Sequence, residues 1–292
     1  MMSRELVDDR CTPNGHAVGI ILKELVRRAI KIVRSERQAF EVMQKAGYGG
    51  DMTDVFTTAD SKAQEIYVRS IQECFAAFSI VAEEGAFSKA QPDATNYFTI
   101  DPLDGTKAFI RRQSHGVGTM IAMVENDKIV SAYVGDVNTQ EIYGYRPGSS
   151  NVHRITEFET AERLSYEGKP LSDQTVLLRD PPEKYSEASR RLLSSFKSYE
   201  VEGGSIGVWL ARLWKREVAA AILPPGGETP WDSTPLQGIS EELGYMFLRP
   251  CQEPLGWESC TPSLVKHTFP RQHDVLIIHR DDWKSSLLNM SN

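Results

Sequence analysis

Two aspartates stand three positions apart in Thr99-Ile100-Asp101-Pro102-Leu103-Asp104-Gly105-Thr106, where an apolar run ends and a Gly-Thr pair opens a turn. Pro102 fixes its own φ and restricts Asp101, while Gly105 permits close backbone approach, so the carboxylates are aimed rather than left mobile. Carboxylate oxygens held in this way are ligands for hard divalent cations. If a helix begins at Gly105-Thr106, its first amides face an anion, because the positive end of the helix dipole lies there. The same residues also suit a capped turn after a strand, and this segment alone does not separate the two readings.

Further acidic residues recur at the ends of elements. Glu83 and Glu84 follow the strand-like run Phe78 to Ala82 and precede Gly85; Asp60 lies at a helix start; Asp232 follows Trp231 just before a helical run. Each taken singly reads as a solvated turn or a helix cap. Adjacent carboxylates such as Glu83 and Glu84 repel unless a positive group lies near, and jointly the four separated acidic sites at element ends are harder to dismiss as caps and turns.

The elements that must position them can be read from periodicity. Apolar residues at Val18, Ile21, Leu22, Leu25, Val26, Ala29, Ile30 and Val33 predict an amphipathic helix from His16 to about Gln44, ended by Gly47, Gly49 and Gly50. A second helix is expected over 59–74. Strands are expected over 78–82, 97–100, 117–124, 128–137 and 141–145, as a meander. Residues 147–173 read as a connection with an edge strand. The rest alternates: strand 175–179, helix 183–196, strand 199–202, helix 205–215, strand 217–223, a Pro-Pro-Gly-Gly turn, helix 231–243, a strand near Tyr245, a Pro-rich loop and a last strand over 274–279. The 292 residues form either one large layered unit or two halves, 16–172 with the acidic cluster and 173–292 completing it.

A net charge of −7 without a Lys/Arg block argues against a nucleic-acid polymer as partner. No apolar run of signal-peptide or membrane-spanning length occurs, and Cys11, Cys74, Cys251 and Cys260 have no zinc-site spacing, so a cytoplasmic protein with free thiols and no membrane partner is expected. His115, His153, His267, His273 and His279 lack an adjoining nucleophile motif and read as surface or core residues. Trp209 and Trp214 fit helix packing, and no glycine-rich nucleotide fingerprint is present.

The segments Val55-Phe56-Thr57-Thr58-Ala59-Asp60, Ala82-Glu83-Glu84-Gly85, Asp101-Pro102-Leu103-Asp104-Gly105-Thr106 and Trp231-Asp232-Ser233, in this order, resemble the inositol monophosphatase family of magnesium-dependent, lithium-sensitive phosphatases over about residues 16 to 280. The resemblance implies a layered α/β/α/β/α sandwich of mixed α/β class, commonly a homodimer, that hydrolyses a small phosphorylated metabolite with two or three Mg2+ ions, for which Mn2+ can substitute. It implies that Glu83, Asp101, the Leu103 carbonyl, Asp104 and Asp232 hold metal. Asp60, Glu84 and Thr106 would be catalytic, with Thr106 and Asp60 orienting the attacking water, and the Gly105 and Thr106 amides would hold a phosphate oxygen. Gly204 and Ser205 match a substrate-side loop.

The chain also departs from the family pattern. Ala82 replaces a common glycine, Ser233-Thr234-Pro235 replaces small residues, and Pro235 is expected to fall in a first helical turn that needs no amide there. The segment 223–230 lacks the usual acidic residue for inositol hydroxyls, leaving Glu228 as the substitute. Lys107-Ala108-Phe109-Ile110 and Gly118-Thr119 look closer to adenosine 3′,5′-bisphosphate phosphatases and histidinol-phosphate phosphatases. Inositol-phosphate hydrolysis is the first expectation, these two activities are the alternatives, and a catalytically inactive metabolite- or protein-binding member is the reading of another class.

Overall fold

The computed structural model describes residues 14–45, 54–85, 93–251 and 256–284. Helix α1 (Gly15–Glu36) is capped by Asn14, whose side chain accepts from the Ala17 amide, and it buries the stripe Val18, Leu22, Leu25, Val26, Ala29, Ile30 and Val33. It stops at Glu36 rather than running on to Gln44. Residues beyond it instead form β1 (Val42–Lys45), antiparallel to β2 (Asp54–Thr57), with Lys45 opposite Asp54. The apolar stripe ends at Val33, so nothing on 37–44 ties the chain to the helix register. Cys11 and the glycines Gly47, Gly49 and Gly50 lie outside the described residues.

Helix α2 (Thr58–Cys74) follows, then β3 (Ser79–Ala82), β4 (Tyr97–Asp104) and the single-turn helix α3 (Thr106–Ile110). The meander is β5 (Gly118–Glu125), β6 (Lys128–Asp136) and β7 (Ile142–Tyr145), continued by β8 (His153–Ile155) and β9 (Ala161–Arg163). Residues 147–173 thus supply two strands where one was expected. The seven strands run β3-β4-β5-β6-β7-β8-β9 and are antiparallel except between β3 and β4.

The second half contains β10 (Thr175–Leu178), α4 (Glu187–Leu192), β11 (Ser198–Val201), α5 (Ile206–Trp214), β12 (Ala220–Leu223), β13 (Gly226–Glu228), α6 (Pro230–Glu242), β14 (Tyr245–Cys251), β15 (Gly256–Ser259), β16 (Phe269–Arg271) and β17 (Val275–His279). Six of these strands form a sheet in the order β11-β10-β12-β17-β14-β15. The helix expected over 183–196 shrinks to α4 between 3-10 turns at Pro182–Lys184 and Leu193–Ser195. Gly226-Gly227, expected in a turn, belong to β13, which pairs with β16 from the Pro-rich loop. Short ribbons of this kind carry no alternating pattern to read. Pro235 is the sixth residue of α6 and not in its first turn, because the helix starts at Pro230.

These elements stack in five layers. One core lies between α1, α2 and the seven-stranded sheet, a second joins both sheets through α5 and α6, and a third backs the six-stranded sheet with Leu192, Phe196 and Trp283. All eight residues of β4 are buried, as expected for a strand covered on both faces. Trp209 and Trp214 fill the middle layer at 1% exposure, each side chain stabilising by about 2–3 kcal/mol on burial. Among the described residues, no helix is long and apolar enough to cross a membrane.

Candidate active site

The end of β4 is irregular: its register with β5 shifts between Asp101 and Asp104. Leu103 donates its amide to Asp101 Oδ1 at 2.9 Å, which folds the backbone around the first carboxylate. Gly105 then takes φ +87°, a left-handed conformation open to glycine, and turns the chain into α3. No side chain caps that helix.

Asp104 is held from another layer. Ser205 donates its hydroxyl to Asp104, and the amides of Ile206 and Gly207 at the start of α5 donate at 3.1 and 2.8 Å. Gly204, at φ +88°, lets the preceding loop lie against Gly116, whose carbonyl accepts from the Ser205 amide at 2.8 Å. Asp232 enters from the first turn of α6 and accepts from the Thr229 hydroxyl. One carboxylate oxygen from each of Asp101, Asp104 and Asp232 lies within 4.8 Å of the others.

Their electrostatics follow from burial and like charge. Burial raises all three pKa values. The charges of Glu83, Asp232 and Asp104 push Asp101 well above the usual carboxylate range, and Asp232 pushes Asp104 up to about 6 against the Ser205 and Gly207 hydrogen bonds. Glu83, pushed up to about 8 mainly by burial, stands beside this group but is bound by Lys45, whose ammonium lies 2.8 Å from both Glu83 and Glu84. The Glu83-Glu84 turn is fixed by buried Gln64, which donates to the Glu84 carbonyl at 2.6 Å and accepts from its amide at 3.1 Å.

Asp60 is fully buried in the first turn of α2, where it closes a capping box with Thr57. Its other oxygen lies 3.3 Å from the Thr106 hydroxyl, which also lies 3.2 Å from the Leu103 carbonyl. Burial moves Asp60 up to about 6.

A cavity of about 670 Å³ opens beside Asp104 and Asp232, walled by Arg179, Pro224 to Thr229, Leu236, Cys260 and Arg271 among others. Glu228 lines it but is 8% exposed and ion-paired to Arg271 at 3.0 Å. Cys260 is held up at about 11, chiefly by burial. Its alkylation by iodoacetamide, followed by peptide mass spectrometry, should therefore quicken about tenfold per pH unit up to that value and at pH 8 run on the order of a hundredfold slower than glutathione.

The chain matches the inositol monophosphatase family over residues 16–281. It belongs to that family. The inositol-1-monophosphatase of Bacillus subtilis is 27% identical over 124 residues, 42% of this chain and 45% of that protein. The Nus factor SuhB of Xylella fastidiosa is 25% identical over 158 residues, 53% of this chain and 54% of that protein. The chain thus spans about half the length of the curated relatives it matches. A solved IMPase/NADP phosphatase complexed with Mg2+ and phosphate shares the fold with a TM-score of 0.70 at 15% identity, covering 94% of each chain.

Within this family frame, the sequence motifs account for Asp60, Glu83, Asp101, Asp104, Thr106 and Asp232, all found around one end of β4. Gly204 and Ser205 also come to it, with Ser205 bonded to Asp104. Lys45, Gln64 and Arg179 were not foreseen. Each is a single residue in, or for Arg179 just after, an ordinary strand or helix, and no spacing marked it.

Proposed function

We propose that the chain is a magnesium-dependent phosphatase of small phosphate monoesters, transferring the phosphoryl group to water. The observation that carries this reading is the convergence of Asp101, Asp104 and Asp232, with pKa values raised by burial and, for Asp101 and Asp104, by the neighbouring carboxylates, beside Thr106 and Asp60. The donor set fits Mg2+: it is all oxygen, compact and in excess of positive charge, and Asp232 Oδ1 is buried with no hydrogen-bond partner. Asp101, Asp104, Asp232, Glu83 and the Leu103 carbonyl would hold two or three ions, and Mn2+ has the same ligand preference. Mg2+ bound there supplies neutralisation of the phosphate oxygens, activation of a water and stabilisation of the leaving alkoxide.

The chain's own groups do the rest. The Thr106 hydroxyl, set between Asp60 and the Leu103 carbonyl, orients the attacking water, and Asp60, at about 6, is suited to take a proton near neutral pH. Glu84, fixed by Gln64 and Lys45, holds the neighbouring turn and its charge in place. The Gly105 and Thr106 amides face a phosphate oxygen at the start of α3, and Ser205 keeps Asp104 aimed. Thr106→Val should lower kcat by about a hundredfold or more while leaving the melting temperature nearly unchanged. Steady-state kinetics and a thermal melt check it.

A binding role without catalysis is the second reading, favoured by the Nus factor name carried by three of the similar proteins. The full set of carboxylates around Thr106 argues for turnover. Inositol phosphates, adenosine 3′,5′-bisphosphate, histidinol phosphate and sugar phosphates in isotope-labelled water form the test. Labelled phosphate from at least one ester supports the phosphatase, and no release from any of them supports the binding protein.

A further inference from the structure

Arg179 directly follows β10 and lines the cavity next to Asp104 and Asp232, close enough to feel both charges, yet among the described residues it makes no ion pair within 4.0 Å. Its guanidinium is fixed on two sides. One terminal nitrogen donates to the Gly204 carbonyl, and the group lies 6.0 Å from the centre of the buried Trp209 ring. The other terminal nitrogen is buried and has no hydrogen-bond partner. A desolvated cationic donor left without an acceptor is unfavourable, and an anionic ligand would remove that penalty.

The other cavity cations are already engaged. Arg271 donates to Glu228, the Pro224 carbonyl and the His273 carbonyl, and Arg249 pairs with Glu258. Of the metal-cluster carboxylates, only Asp104 and Asp232 reach the cavity wall, so the cavity beyond them is the space for the alcohol part of an ester. Glu228, the acidic residue expected to meet hydroxyls, is neutralised by Arg271. Arg179 is thus the arginine of this wall, among the described residues, that has no carboxylate partner, and it stands on the same wall as the buried, unpartnered Glu228 Oε1.

We propose that Arg179 determines specificity by binding an anionic substituent, a carboxylate or a second phosphate, on the alcohol moiety of the substrate. This rests on the phosphatase reading above. Arg is suited to the task, since its planar fork matches both groups and its charge does not titrate. A site built to pair an anion also discriminates strongly against the neutral analogue, which leaves the guanidinium unpaired.

The test compares esters that differ in one group: 2-phosphoglycerate against glycerol 2-phosphate for a carboxylate, and fructose 1,6-bisphosphate against fructose 1-phosphate for a second phosphate. The wild type should favour the anion-bearing member of at least one pair by about tenfold or more in kcat/KM, and the pair identifies the anion. Arg179→Gln should bring that ratio to within about threefold of unity, mainly through KM, and Arg179→Lys should restore part of it. An unchanged ratio in the variant, no preference in the wild type, or an equal fall in kcat on both members would overturn the proposal; the last would place Arg179 on the transferred phosphoryl group. Absence of all turnover would sink the phosphatase reading instead. Calorimetric titration of the same four compounds then decides the Arg179 proposal independently: an Arg179-dependent preference for the charged member upholds it, and equal binding refutes it.

Discussion

Asp101→Asn is expected to make the magnesium-free protein more heat-resistant while lowering kcat/KM by at least about a thousandfold, or about 4 kcal/mol of transition-state stabilisation. Asp101 is 3% exposed and faces the charges of Glu83, Asp232 and Asp104. An amide keeps the oxygen that accepts from the Leu103 amide, offers a donor toward Asp232, and is neutral without taking up the proton that burial and the neighbouring carboxylates force on Asp101. Relief of repulsion should stabilise the metal-free fold by about 1–3 kcal/mol, a rise of several degrees in a chain of this size. Added Mg2+ should raise the wild-type melting temperature by mass action and the variant's far less, so that their order reverses.

The pH dependence has a definite sign. Carboxyls whose folded pKa is raised bind more protons folded than unfolded, so their contribution is complete below the ordinary carboxylate value and is lost as pH rises through the folded one. With Asp104 at about 6 and Glu83 at about 8, metal-free wild type should lose stability between roughly pH 4 and 8. Asp101→Asn should flatten that loss. Melting curves in EDTA across this range check both statements, and a variant that melts lower than wild type throughout would contradict them.

Gly105→Ala should be among the most damaging single-methyl changes in the chain. A Cβ at Gly105 would lie 2.3 Å from the Gly116 carbonyl oxygen and 2.7 Å from the Ser205 amide nitrogen, both backbone atoms, at a φ of +87°. Left-handed geometry alone costs a β-carbon about 1–2 kcal/mol, and the backbone must also part at the junction of β4, α3 and α5. The expected loss is about 3 kcal/mol or more, roughly 6–12 °C in melting temperature. Activity should fall further than stability, because the same turn aims Asp104, Thr106 and the first α3 amides. Gly226→Ala is the control: nothing lies within 4 Å of its Cβ, and the change should stay within about 0.5 kcal/mol of wild type. Denaturant titrations of both variants would show the contrast, and similar losses in the two would refute the steric account.

How much of this was legible in the sequence depends on range. The α1 stripe and the apolar run into Asp101 are local patterns with a period, and both elements were found, although α1 ends at Glu36 because a stripe marks a face better than an end. The acidic residues were visible because each sits at a break between elements. Their support was not. Ser205 meets Asp104 across 101 positions, and Gln64 meets Glu84 across 20, through side chains that any helix or loop could carry. Lys45 lies in a strand read as the tail of a helix, so its approach to Glu83 and Glu84 had no frame. Arg179 directly follows an apolar strand, where a charge needs no explanation, and its meaning depends on Gly204 and Trp209.

The most direct test of the central claim is phosphate release by EDTA-treated protein as Mg2+ is added back, with wild type and Asp104→Asn run side by side on the best ester of the panel. No release is expected without metal, a saturable rise with Mg2+ is expected in the wild type, and almost none in the variant at any concentration. Metal-independent release, or an Asp104→Asn protein with wild-type turnover at saturating Mg2+, would contradict the claim.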